Sequence, residues 1–217
     1  MLIYQPEAAQ AASLADRAYF RIRELIVTLE LPPGSVIDER ALVEQLGVGR
    51  TPIRQALRRL AKERLVDVYA RRGTLVAPVN VRDLAALAEL RRELESFAAR
   101  LAAERLTAED RADLERLLEE LRHAEADERA LIELDQRIHR RIHQAAHNDF
   151  LATALDESYV LSLRIWLLVL DRVPRLEGAV QEHAELLAAV LAGDPEHAAA
   201  VMRRHVTSFE RAIRDVL

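Results

Sequence analysis

Residues 46–60, LGVGRTPIRQALRRL, constrain the fold of this chain more than any other stretch. They read as a short loop feeding a helix with two unlike faces. Ile53, Ala56, Leu57 and Leu60 gather on one side, and Arg50, Thr51, Arg54, Gln55, Arg58 and Arg59 fill the other. Pro52 falls in the first turn, where a missing N–H costs nothing, and Gly49 or Thr51 is placed to cap the free donors. A solvated basic face on an ordinary surface helix would show the same charges, so the flanks decide. Upstream, residues 38–44 (DERALVE) form a second short helix with Leu42 and Val43 inward, and residues 45–49 supply a tight turn, which is helix-turn-helix spacing. Downstream, residues 65–69 alternate as a strand, ARRG at 70–73 makes a basic turn, and residues 74–77 return as a second strand before Pro78. A wing therefore follows a helix whose positive end presents Arg and Thr, as a recognition helix does in the major groove.

The assembled string PPGSVIDERALVEQLGVGRTPIRQALRRLAKERLVDVYARRGTLVAPV resembles the winged helix-turn-helix of GntR-family transcription regulators along its whole length. That resemblance implies DNA contacts by Arg40, Arg50, Thr51 and Arg54, with Gly73 at the wing tip. The sequence departs from the family pattern twice: Gly49 stands where Ser or Thr is usual, and Arg64 where Gly is usual. The first departure removes one phosphate-binding hydroxyl, and the second adjusts a helix end.

Charge separates the chain into unlike halves. The net charge of −5 is the sum of +3 over residues 1–80 (12 basic, 9 acidic) and −8 over the remainder (19 basic, 27 acidic). Residues 50–72 alone hold eight basic side chains against two acidic ones, the local excess that counterion release from DNA requires. Residues 1–12 lack periodicity and read as a flexible arm; residues 13–30 carry Leu14, Ala18, Ile22, Leu25, Ile26 and Leu29 at helical spacing; Val36 and Ile37 form a short extended piece. The expected domains are the arm (1–12), a winged helix-turn-helix (13–79) and an all-helical effector-binding and dimerisation domain (80–217). With no cysteine, disulfides and thiolate metal sites are excluded. No apolar run reaches the ~20 residues of a membrane span, and the N-terminus lacks a secretory pattern, so the cytoplasm is the expected location.

Beyond residue 81 the periodicity is helical throughout. Six helices are expected, over about 82–105, from Thr107 onward, 127–146, then to about 171, a fifth following Pro174, and a sixth reaching 217. Thr107 and Asp110 form a capping-box pair; His147 and Asn148 break the third helix; Tyr159, Leu163, Trp166 and Leu170 share one face of the fourth; Gly193, Asp194 and Pro195 separate the last two. The fold class is mainly α: a winged helix-turn-helix followed by an antiparallel six-helix bundle.

Within that bundle the histidines form a constellation. Asp135 and His139 are four residues apart on one helix face. His183 lies ten residues before Gly193 and His205 eleven after Asp194, so in an antiparallel pair both stand about 15 Å from the turn. Three imidazoles and one carboxylate suit a borderline divalent metal such as zinc, nickel or manganese. LIELDQRIHRRIHQAAHN and EHAELLAAVLAGDPEHAAAVMRRH resemble the ligand helices of the C-terminal effector (FCD) domain in the FadR branch of the GntR family. The resemblance implies Asp135, His139, His183 and His205 as metal ligands, with coordination positions left for an effector that is often a carboxylate. His123, His143, His147 and His197 read as surface or hydrogen-bonded residues, His143 being the nearest rival because it shares the stripe of His139. Arg91 and Glu95 match the family's RxxLE motif, and Arg91 is a candidate for pairing with an organic acid; Arg164, near Trp166, is a second candidate, read more simply as a surface or interhelical salt-bridge residue.

The sequence therefore points to a ligand-responsive transcription regulator, not an enzyme, that binds double-stranded, pseudo-palindromic operator DNA as a homodimer and responds to a small-molecule carboxylate. Two other readings stand beside it. One is a metal-free regulator responding to an acyl thioester. The other is a metal-dependent hydrolase, for which no general base is evident because Glu182, beside His183, points elsewhere on its helix.

Overall fold

The computed structural model describes residues 13–80, 82–123, 128–169, 172 and 177–216. The expected arm at 1–12, Leu170 and the Pro174 turn lie outside the described residues. Contacts divide the chain into two compact units, with the division between residues 80 and 81.

In the first unit, α1 (Leu14–Val27) starts at Ser13, whose hydroxyl accepts the Asp16 amide. It ends three residues earlier than periodicity suggested. Thr28 caps it and Leu29 takes a left-handed backbone (φ 62°), so Leu29 leaves the apolar stripe. The helix pair follows as α2 (Glu39–Leu46) and α3 (Arg50–Lys62). Asp38 accepts the Arg40 and Ala41 amides at the start of α2, and Gly47 (φ 63°) ends it in the left-handed conformation that glycine adopts without strain. Strands β1 (Val66–Tyr69) and β2 (Gly73–Val76) pair antiparallel, with Val66 opposite Val76 and Tyr69 opposite Gly73. The second strand thus starts one residue before its expected position, because the three-residue loop 70–72 makes Gly73 the first paired residue. The extended piece at Val36 and Ile37 joins the wing: Val36 bridges Leu75, and the Ile37 amide donates to the Thr74 carbonyl. Ile22, Ile26, Leu42, Ile53, Leu57, Leu60 and Val76 are buried in this unit, whereas Val43, expected inward with Leu42, is half-buried.

The second unit holds the six expected helices: α4 (Asp83–Arg105), α5 (Ala108–Arg122), α6 (Glu128–Ala145), α7 (Asp149–Val169), α8 (Glu177–Ala192) and α9 (Pro195–Arg214). The Thr107–Asp110 capping box forms with both reciprocal bonds. His147 (φ 47°) and Asn148, which accepts the Leu151 amide, separate α6 from α7. Gly193 (φ 69°), Asp194 as N-cap and Pro195 as first helical residue fold α9 back along α8. Helix α4 packs against α6, α7, α8 and α9. Leucine, isoleucine, valine, alanine and methionine from α4, α5, α6, α8 and α9 fill the core, including Leu114, Ile138, Ile142, Leu186, Val190 and Met202. Among the described residues, no helix is long and apolar enough to cross a membrane.

Candidate functional site

Two surfaces built from the predicted residues can be described, one in each unit. In the first, Ile53, Ala56, Leu57 and Leu60 bury one face of α3, while Arg50, Thr51, Arg54, Gln55 and Arg58 are exposed. Gly49 is the N-cap of α3 and has no side chain to occupy the free amides, and Thr51 lies inside the first turn, so neither caps the helix with a side chain. Arg40 is exposed on α2, and Gly73 (φ 83°) opens β2 beside exposed Arg71 and Arg72. The Nε of Arg54 lies 2.9 Å from Glu39 Oε2, an ion pair that ties the first helix of the motif to the second.

Arg59 is exposed on the same face and also reaches α1. Its guanidinium carbon sits 3.6 Å from the centre of the Tyr19 ring, with Asp16 at 3.5 Å and Glu63 at 3.6 Å. The Tyr19 hydroxyl donates to the Glu63 carboxylate at 2.8 Å, and buried Arg23 approaches the same carboxylate at 3.4 Å. Burial, with the Glu63 carboxylate, pushes the Tyr19 hydroxyl well above its ordinary pKa. This network joins α1 to α3 across 44 residues of sequence, a separation at which periodicity carries no signal.

In the second unit, Asp135 and His139 on α6, His183 on α8 and His205 on α9 converge, with one ligand atom from each within 4.8 Å of all the others. All four are more than nine-tenths buried. His139 Nε2 faces His205 Nε2 at 3.2 Å, and His183 Nε2 faces Asp135 Oδ1 at 3.2 Å; the remaining Asp135 contacts, to His139 and His205, are 3.8 and 3.9 Å. Ligands about 2.0–2.2 Å from one ion stand roughly 3 to 4 Å apart, so the set fits a divalent cation. Two observations of the donors agree. His183 Nε2 is a buried atom with no hydrogen-bond partner, and two imidazole nitrogens directed at each other require a cation or a proton to offset their lone pairs.

The outward nitrogens of two of these rings are held by carboxylates. His139 Nδ1 bonds to Glu95 Oε2, and His205 Nδ1 lies 3.0 Å from Glu182 Oε2. Such partners fix the tautomer and leave Nε2 for the ion. The reading of Glu182 as pointing elsewhere is therefore corrected: it reaches across from α8 to α9, and this contact commits it to orienting His205. The Tyr159 hydroxyl donates to Asp135 Oδ2 at 2.5 Å. Burial opposes ionisation of Asp135, yet the three surrounding imidazoles hold its carboxyl well below the usual range. Burial and the neighbouring His183 ring push His205 down to about 4. For His139 burial is outweighed by Glu95 and Asp135, which raise it.

Arg91 is buried at this site. Its Nε donates to Glu95 Oε1 at 2.6 Å, and its guanidinium lies 5.1 Å from the Tyr159 ring centre and 5.7 Å from that of Phe209. It lines a small cleft beside the donor set together with Tyr159, Leu163, Trp166 and Phe209. Arg164 is also buried, contrary to a surface reading; burial brings its guanidinium down to about 10, and it is not among the residues lining that cleft. His143 is buried with Nε2 3.5 Å from Glu95 Oε2, whereas His123, His147 and His197 pair with Glu119, Asp110 and Glu185 away from the donors.

The FCD domain pattern matches residues 86–208, and the pattern of bacterial regulatory proteins of the gntR family matches residues 14–76. The chain belongs to the GntR family. It is similar to the probable D-xylose utilization operon transcriptional repressor of Paenarthrobacter nicotinovorans, with 30% identity over 82% of this chain and 79% of the relative. It is also similar to the galactonate operon transcriptional repressor of Escherichia coli (strain K12), with 28% identity over 93% and 97% of the two chains. Among solved structures, E. coli McbR/YncC superposes with a TM-score of 0.83 at 25% identity, covering 94% of this chain and 98% of the other. This GntR protein is thus a DNA-binding transcriptional regulator whose C-terminal unit is an FCD effector-binding domain.

Proposed function

We propose that this regulator senses a small organic acid through a divalent metal held by Asp135, His139, His183 and His205, and that it acts in the cytoplasm as a homodimer on a pseudo-palindromic operator. The observation that carries the reading is the buried convergence of those four donors, with His183 Nε2 forming no hydrogen bond and facing Asp135 Oδ1 at 3.2 Å. A bound zinc, nickel or manganese ion would supply positive charge and open coordination positions to a carboxylate. The chain's own contribution is orientation: Glu95 and Glu182 hold two imidazoles, and Arg91 places a second cation beside the donors. One relative's name refers to galactonate, itself a carboxylate.

Two identical winged helices would read half-sites related by a two-fold axis. Arg50 and Arg54 are assigned to base edges, and Arg40, Thr51 and the wing tip at Gly73 to the backbone. Effector binding changes DNA affinity only if the acid binds the two dimer geometries unequally.

Elemental analysis of purified protein tests the metal. The expectation is about one divalent ion per chain in the wild type, lost in a His183→Ala, His205→Ala double variant; a wild type that neither contains nor takes up metal defeats the reading. For DNA, Arg50→Ala and Arg54→Ala are each expected to weaken binding to a selected operator by about 10- to 100-fold, with metal content unchanged. Unchanged operator affinity in both variants would sink the assignment.

A further inference from the structure

The basic face of α3 is not uniform, because its arginines are not all equally free. Arg50, Arg54 and Arg58 follow at i, i+4 and i+8 and so form one stripe along the helix. Among the described residues, Arg50 and Arg58 have no carboxylate partner, whereas Arg54 donates from Nε to Glu39 Oε2 at 2.9 Å. Arg59 is held as well, but its guanidinium lies on the Tyr19 ring of α1.

The group that holds Arg54 is itself fixed in place. Glu39 is the first residue of α2, next to Asp38, whose side chain accepts the Arg40 and Ala41 amides and sets where that helix begins. On α3, buried Ile53 and Leu57 fix the backbone from which Arg54 projects. The bond through Nε leaves the two terminal nitrogens of Arg54 side by side, and its side chain is 62% exposed against 32% for Glu39. Such a fork pairs with O6 and N7 of guanine in the major groove.

Glu39 adds little to stability. Exposed ion pairs contribute weakly, and Asp38 already caps α2. A carboxylate on a face that meets phosphate also weakens attraction for DNA of every sequence. A loss common to all sequences is offset only by a gain at some, and a reading group held in its binding geometry before contact supplies one.

Resting on the operator reading above, we infer that Glu39 is a positioning residue for base readout. It presents the Arg54 fork to one guanine in each half-site, and so raises sequence preference at the expense of affinity for DNA at large.

Duplexes enriched from a random pool by full-length wild-type protein supply the probe. Anisotropy titrations compare the enriched duplex with copies substituted one base pair at a time and with a scrambled duplex. Arg54→Ala marks its own base pair as the one where guanine preference disappears. Glu39→Ala is expected to reduce the preference at that same pair by about tenfold, with binding to the scrambled duplex unchanged or tighter. In the Arg54→Ala background, Glu39→Ala is expected to alter no preference. A Glu39→Ala protein with the wild-type preference, a loss at a different base pair, or a loss that persists in the Arg54→Ala background overturns the inference while leaving the operator reading intact. Weaker binding to every duplex alike, with a lowered thermal midpoint, also overturns it, since that is the mark of a helix-stabilising role alone. Should Glu39→Ala fail to fold, Glu39→Gln, which removes the charge from the bond, decides by the same comparison. A pool with no enriched half-site, or an Arg54→Ala protein that keeps every preference, defeats the operator reading and this inference together.

Discussion

Arg64 holds a left-handed backbone (φ 59°) immediately after the last turn of α3. The Leu65 amide returns to the Leu60 carbonyl at 2.9 Å and the Arg64 amide to Ala61 at 3.2 Å, the pair of bonds by which a helix ends on a left-handed residue. That position favours glycine, which explains why the GntR pattern has Gly there. Arg64→Gly is therefore expected to stabilise the winged helix by about 1 kcal/mol, since the strain of a β-carbon in this region exceeds the added chain entropy. Thermal unfolding would show it as a rise in midpoint; a fall would mean that the Arg64 side chain has a contact worth more than the strain. Legibility also varied at this scale. The four converging donors could be placed because i,i+4 spacing and symmetry about Gly193 are sequence properties. The carboxylates behind them could not, because Glu95 meets His139 across 44 residues and Glu182 meets His205 across 23. The contact of Arg59 with Tyr19 is hidden for a related reason: a helical wheel puts Arg59 on the basic face, where it is exposed, but contains nothing of Tyr19 on α1.

Between elements, Asp110 ties α5 to the end of α6. It completes the Thr107 capping box, accepts from Arg141 Nη2 at 3.0 Å and pairs with His147 Nε2 at 2.8 Å, so one carboxylate closes a helix start and fixes the α6–α7 corner. The capping half of this was readable from T-x-x-D; the corner was not, since it needs α6 folded against α5. Asp110→Asn is expected to cost about 1–2 kcal/mol at neutral pH. The pH dependence has a definite sign. Burial raises the Asp110 carboxyl, but hydrogen bonds from Thr107 and His147 outweigh it and leave the folded pKa below the ordinary value. The stabilisation is thus fully present above the unfolded aspartate range, about pH 4, and is lost as pH falls from there through the folded value. Urea titrations of both proteins from pH 7 to pH 3 should converge toward the acid end; a gap that stays constant would show that the charge of Asp110 plays no part.

Across the whole molecule, the two halves that differ in charge are also two separate sets of contacts: the basic excess falls in the winged helix, and the acidic excess in the FCD unit. Cation binding belongs to the second unit alone, because Asp135, His139, His183 and His205 all lie beyond residue 81 and join α6 to α8 and α9. An ion there ties together three helices that otherwise bring several buried titratable groups against one another, so its binding energy adds to the stability of that unit by mass action, about 4 kcal/mol when the free ion exceeds its Kd a thousandfold. Chelation with EDTA should therefore lower the calorimetric transition of the FCD unit by several degrees while that of the winged helix stays in place, with each transition assigned by its response to Arg64→Gly or Asp110→Asn. The His183→Ala, His205→Ala protein should show no response to EDTA. A wild type whose FCD transition is equally unmoved, or a double variant that shifts as the wild type does, would mean that the four donors hold one another through protons and carboxylates alone.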